Sequence, residues 1–144
     1  MGLLDFLKDV GNDIFGGNDE AEEITKMLNQ DLSGKITDLK VEFDSGVVTL
    51  HGNCDSQATK EKAVLLAGNL KGVEKVNDDN LTAPPAQEET EYYTVKSGDS
   101  LSKIAKHYYG DYKRYPVIFE ANREVIKDPD LIFPGQVLRI PKSI

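Results

Sequence analysis

The sequence predicts an α+β chain built from two small units. Three observations carry that expectation. Hydrophobic spacing alternates between helical and strand periods, first in the order α-β-β-α-β and then β-α-α-β. A polar, acidic, proline-bearing stretch, Ala83-Pro84-Pro85-Ala86-Gln87-Glu88-Glu89-Thr90-Glu91, separates the two series as a linker would. The length of 144 residues leaves room for one ordinary domain or two small ones. The expected division is an N-terminal helix over 1–17, a first unit over 18–83, a linker over 84–91 and a second unit over 92–144.

Leu3, Leu7, Val10 and Ile14 recur at helical spacing, and Leu4, Phe6 and Phe15 widen the stripe. Residues 3–15 therefore read as a short amphipathic helix, weakened at Gly11 and stopped by Gly16-Gly17. Such a helix docks on a core, lies on a membrane or pairs with another copy; the acidic polar face disfavours the membrane. Asn18-Asp19-Glu20 opens a second helix with side-chain acceptors and negative charge, and Ala21, Ile24, Met27 and Leu28 form its apolar face. It ends before Ser33-Gly34. Ile36 and Leu39 to Phe43 alternate like a strand, Asp44-Ser45-Gly46 turns, and Val47 to Gly52 returns. After a loop with Asp55 or Ser56 as cap, a helix runs from about Gln57 to Ala67, with Ala58, Ala63, Leu66 and Ala67 inward. Val73 to Val76 and Asp78 to Leu81 form a last strand. A three-stranded sheet with two helices on one face is the economical packing.

Between that helix and strand lies Ala67-Gly68-Asn69-Leu70-Lys71-Gly72-Val73. Two glycines and an asparagine stop a helix and let the backbone turn left-handed, Gly68 included. A helix end leaves its last carbonyl oxygens without intrahelical partners, at the negative end of the dipole. Such oxygens are capped in the ordinary way or hold a cation, and residue chemistry alone leaves both open.

The second unit opens with a strand over Tyr92 to Lys96. Ser97-Gly98-Asp99-Ser100 turns into a helix whose core face is Leu101, Ile104, Ala105 and Tyr108. Tyr109-Gly110-Asp111 is another turn. A helix from about Pro116 to Asn122 follows, with Val117, Ile118 and Ala121 inward. Asp128-Pro129-Asp130 breaks the chain, and Val137 to Pro141 closes it as a strand.

Composition narrows the function classes. The net charge of -8 argues against nucleic acid and anionic membrane surfaces, and gives a mildly cation-attracting field. The single cysteine, Cys54, excludes an intrachain disulfide and reads as a small buried hydrophobe. Neither a CxxC nor an HExxH signals zinc, and no glycine-rich phosphate loop is present. No stretch approaches the ~20 apolar residues of a membrane span. The start lacks a basic region and a continuous apolar run, and Phe6 breaks the myristoylation pattern, so the cytoplasm is the expected compartment. His51 and His107 are the only histidines and fall in different units, which gives catalysis little support.

Two resemblances follow. Val47-x-x-Leu50-x-Gly52, a helix, then Gly72-Val73-x-x-Val76-x-Asp78-x-x-Leu81 resembles a BON domain over residues 19–83. Tyr93-Thr94-Val95-x-x-Gly98-Asp99-Ser100-Leu101-x-x-Ile104-Ala105, then Ile118-x-x-Ala121-Asn122, then Ile132-x-Pro134-Gly135-Gln136-x-Leu138-x-Ile140-Pro141 resembles a LysM domain over residues 92–142. The BON resemblance implies a fold more than an activity. The LysM resemblance implies binding of N-acetylglucosamine polymers such as peptidoglycan, in a groove where Gly98, Asp99, Ser100 and Leu101 face Leu131, Ile132 and Phe133. Most of those residues also serve the fold.

The whole arrangement, with Met1-Gly2-Leu3-Leu4-x-Phe6-Leu7-Lys8-Asp9-Val10-Gly11 at the start, resembles the bacterial cytoplasmic potassium-binding protein family. Phe133 is a mild departure, because the family pattern has Tyr there. The resemblance implies a monomeric potassium sensor or buffer, not an enzyme, with the ion in the BON domain and a conformational response through LysM. Potassium is large, singly charged and weakly hydrated, so backbone carbonyls can replace its water shell, whereas a carboxylate cage favours divalent ions. By resemblance and this argument, the ligands are the carbonyls of Leu7, Val10, Gly68, Leu70 and Val73. A glycan-binding adaptor and an ion-free scaffold for other proteins are the alternatives.

Overall fold

The computed structural model describes residues 3–6, 19–85 and 90–142. Helix α1 spans Glu20–Asp31; the Asp19 side chain accepts the Glu22 N–H, and Glu20, Glu22 and Glu23 complement the positive helix end. Ile24 and Leu28, one turn apart, are fully buried. Strands β2 (Ile36–Asp44) and β3 (Val47–Cys54) form an antiparallel hairpin in which Asp44 pairs with Val47. The two loop residues, Ser45 and Gly46, both have positive φ (52° and 83°), the mirror-image turn whose twist suits flanking strands. The pairing slips between Thr37 and Lys40, where Asp38 has φ 58°.

Ser56 caps α2 (Gln57–Gly68) by accepting the Thr59 N–H. The chain then returns as β4 (Lys75–Thr82), parallel to β3. Helices α1 and α2 touch each other and the same sheet, and between them bury Val41, Val48, Leu50, Leu65, Val76 and Leu81. Each such side chain contributes about 1.5–3 kcal/mol through burial.

The expected start of the N-terminal helix is corrected here. Leu3–Asp5 is a strand, β1, antiparallel to β4 with Leu4 opposite Val76. The sheet is therefore four-stranded, in the order β1-β4-β3-β2, rather than three-stranded. The physical reason is the free edge of β4: its unpaired N–H and C=O groups take the N-terminal chain as a partner. Phe6 continues the pairing, its N–H 2.8 Å from the Glu74 carbonyl, and its side chain is buried in the core. The rest of the expected helix lies outside the described residues.

In the second unit β5 (Thr90–Thr94) pairs antiparallel with β6 (Val137–Pro141), so the strand starts two residues earlier than expected. Ser100 caps α3 (Leu101–Tyr109), and Gly110, φ 74°, ends it left-handed. A 3-10 turn over Tyr112–Arg114 leads into α4 (Tyr115–Ala121), with Pro116 in its first turn, where its missing N–H costs nothing. Leu101, Ile104, Ile118, Leu138 and Ile140 form this unit's core. Val137 buries its side chain in the first unit's core instead, and Val125 packs against both. No helix among the described residues is long and apolar enough to cross a membrane.

Candidate functional site

The turn between α2 and β4 is built by helix exit. The Asn69 N–H still reaches the Leu65 carbonyl at 2.9 Å, a last helical bond. Beyond it the bonds lengthen: Leu70 N–H to the Ala67 carbonyl at 3.4 Å, and Val73 N–H to the Leu70 carbonyl at 3.2 Å. Among the described residues, no donor reaches the carbonyl oxygens of Gly68 and Val73. Of the expected ligands, Gly68, Leu70 and Val73 thus share one short turn. Leu7 and Val10 lie outside the described residues.

Gly68 departs from expectation in its backbone. It is the last helical residue, and the left-handed conformation falls at Gly72, φ 98°. Gly68 is required for a different reason: a Cβ there would lie 2.1–2.3 Å from ring carbons of Phe6. The aromatic ring occupies the space that any other residue's side chain would take. With β1 on β4 and Phe6 on Gly68, the N-terminal chain is held against the turn.

Asn69 extends the turn in the other direction. Its Nδ2 donates to the Val137 carbonyl at 2.9 Å, and its Oδ1 accepts the Val137 N–H at 2.8 Å. The Gln136 carbonyl faces β5, accepting from Val95 N–H, so the N–H and C=O of Val137 point to the other, open edge of β6. The Asn69 amide thus stands in for a neighbouring strand. Asn122, from α4, does the same two residues along: its Nδ2 donates to the Arg139 carbonyl at 2.8 Å and its Oδ1 accepts the Arg139 N–H at 2.9 Å.

Charges close the junction between the units. The Arg139 guanidinium, buried, donates to Glu61 at 2.8 Å and to the Ala121 carbonyl at 2.7 Å. Thr90 donates to the same Glu61 oxygen at 2.8 Å. Lys62 pairs with Glu124 at 2.8 Å, Lys35 with Glu124 at 3.9 Å and Lys127 with Asp31 at 3.1 Å. Burial works to raise the Glu124 pKa, but the Lys62 hydrogen bond and the Lys62, Lys35 and Lys127 charges outweigh it and hold the carboxyl below its ordinary 4.5. A cavity of about 220 Å³ lies at this junction, lined from one side by Met27, Leu65 and Leu70 and from the other by Val125 and Phe133.

The expected glycan groove is only half assembled. A groove of about 390 Å³ is lined by Leu131, Ile132 and Phe133, with Leu131 65% exposed. None of Gly98, Asp99, Ser100 and Leu101 lines it. Asp99 is committed to the Tyr93 hydroxyl and the Lys96 N–H, Ser100 to the cap of α3, and Leu101 to the core. Gly98 supplies a left-handed turn at φ 87°, and its carbonyl accepts from Lys103 at 3.0 Å.

The remaining reactive groups do not converge. His51 Nε2 lies 2.8 Å from Glu42, and that hydrogen bond holds the Glu42 carboxyl below its ordinary value. His107 stacks edge-on against Tyr108 in the other unit. Cys54 is buried, and desolvation pushes its thiol up to about 11, far from thiolate chemistry. Among the described residues no group of three or more His, Cys, Asp and Glu could hold a metal ion.

Residues 19–85 match the BON domain and residues 93–141 match the LysM domain, so the chain joins these two domain types. Over 150 residues it is 40% identical to Potassium binding protein Kbp of Escherichia coli O6:H1, covering 99% of this chain and 100% of that protein. The chain belongs to the family of that protein. An uncharacterized protein from Deinococcus radiodurans is 43% identical over 104 residues, 65% of this chain and 40% of its own length. A Mycobacterium tuberculosis esterase is 50% identical over 48 residues, which span 33% of this chain and 10% of the esterase.

Proposed function

We propose that this chain is a cytoplasmic, monomeric potassium-binding protein, a sensor or buffer rather than an enzyme. The observation that carries the reading is the α2–β4 turn. Among the described residues the Gly68 and Val73 carbonyls take no donor and the Leu70 carbonyl takes one long bond, at the negative end of a helix. Carbonyl oxygens of this kind suit a large monovalent cation. The N-terminal chain is delivered to the same turn through Phe6, in keeping with ligation by the Leu7 and Val10 carbonyls as well. The name of the full-length relative, and the net charge of -8, support the same ion.

On this reading, potassium orders the turn and the N-terminal segment, and the change reaches the LysM domain across the junction. Calorimetric titration with KCl, NaCl and CsCl tests it. Saturable binding of potassium in preference to sodium is the expected result; absence of heat and of amide shifts with every monovalent ion overturns it. A second reading, glycan binding through LysM, is favoured by the apolar groove at Leu131, Ile132 and Phe133. Amide shifts of those residues on adding chitin oligomers would support it.

A further inference from the structure

We propose that Asn69 is a positioning residue that makes the LysM domain part of the ion site. The inference rests on the potassium reading of the α2–β4 turn. Asn69 lies between two of the expected ligands, Gly68 and Leu70, in the chain itself. Its main chain belongs to the BON turn, while its side chain makes two hydrogen bonds, at 2.9 and 2.8 Å, to the main chain of Val137 in β6. Two parallel bonds from one planar amide fix direction as well as distance, so the peptide planes on either side of Asn69 inherit an orientation from the LysM strand.

Val137 is itself held firmly. Its side chain is buried in the BON core, and β6 is anchored two residues on by Asn122 and the Glu61–Arg139 pair. The side chains of Leu70 and Val73 anchor the turn in the core, but its internal main-chain bonds are 3.2 and 3.4 Å long and hold the direction of its peptide planes only weakly. A carbonyl cage binds well only if its oxygens already point inward, because any ordering needed on binding subtracts from affinity. The LysM strand, through Asn69, supplies that preorganisation. By the same coupling, an ion that orders the turn tightens the hold on Val137.

The test is Asn69→Ala in the full chain, titrated with KCl beside the wild type. If the mutation leaves the competent turn populated about one tenth of the time, potassium affinity falls about tenfold. Glu124→Gln, which weakens the junction at the Lys62 pair without removing a hydrogen bond of the turn, is expected to change affinity less than twofold. Two readouts separate positioning from a general loss of stability. The rise in thermal midpoint produced by a fixed potassium concentration shrinks in Asn69→Ala and persists in Glu124→Gln. The Val137 amide shifts on potassium addition in the wild type and no longer does so in Asn69→Ala. Asn69→Asp keeps the acceptor but sets a carboxylate oxygen against the Val137 carbonyl, and should release Val137 as alanine does even if alanine folds poorly. Unchanged affinity in both Asn69 variants, with wild-type binding intact, overturns the inference. No potassium binding by the wild type overturns the ion reading on which it rests.

Discussion

Asn122 and Asn69 present the same side-chain amide to the same strand edge, two residues apart, in two different settings. Asn122 is fully buried within one domain, and its Nδ2 also donates to the Ile118 carbonyl at 2.8 Å. Asn69 is half-buried and reaches across a domain boundary. The same geometry therefore serves a fold in one place and a junction in the other. A fold needs its polar pairs satisfied at all times, because water cannot replace them. A junction can exchange them for water at small cost.

The largest expected effect breaks the comparison on the Asn122 side. Asn122→Ala strands the buried N–H and C=O of Arg139 and is expected to cost about 3 kcal/mol, read as a shift in urea midpoint at unchanged slope. Gly68→Ala comes next, at about 2 kcal/mol, because the new methyl group overpacks against the Phe6 ring. In a Phe6→Ala background the same change should cost far less, and a double-mutant cycle measures the difference. A cycle with no coupling would remove Phe6 as the reason for glycine at this position. Asn69→Ala should cost only about 1 kcal/mol in the absence of potassium, since Asn69 is half-buried and water can follow into the space its amide leaves beside Val137.

The smallest effect is set by pH and falls on the junction alone. Glu124 has a folded pKa below its ordinary 4.5, so its contribution is fully present above that value and is lost as pH falls through the lower folded one. Because the side chain is 26% exposed, solvent screening keeps the contribution below about 1 kcal/mol. The stability difference between wild type and Glu124→Gln should be flat above pH 5 or so and shrink below it, whereas the cost of Asn122→Ala should not follow that curve.

Much of the fold was legible because local chemistry announced it. Asp19, Ser56 and Ser100 cap helices as their positions suggest, and Ser45-Gly46 makes the hairpin turn. The start of the chain was not legible. Leu3, Leu4, Phe6 and Leu7 fit a helical stripe, and only the free edge of β4, distant in sequence, makes Leu3–Asp5 a strand. The glycine at 68 looked like a left-handed stop, yet its reason is a ring more than sixty residues upstream. The roles of Asn69 and Asn122 were equally hidden. An asparagine after a helix reads as a cap whether or not its amide holds a strand, and nothing in Val137 tells which domain's core receives it. The Gly68, Leu70 and Val73 carbonyls were inferred by family resemblance, since main-chain ligands leave no side-chain signature.

The burial of Val137 has a consequence for how the protein is made. Every other buried member of the first core is at or before Leu81, so nearly all of that core is synthesised well before its last buried piece. At roughly 5–20 residues per second the interval is on the order of 3–10 s. The nascent N-terminal domain spends that time with an open apolar seam at the end of α2. Its completion coincides with the emergence of β6, which ties the maturation of the first domain to the finished translation of the second.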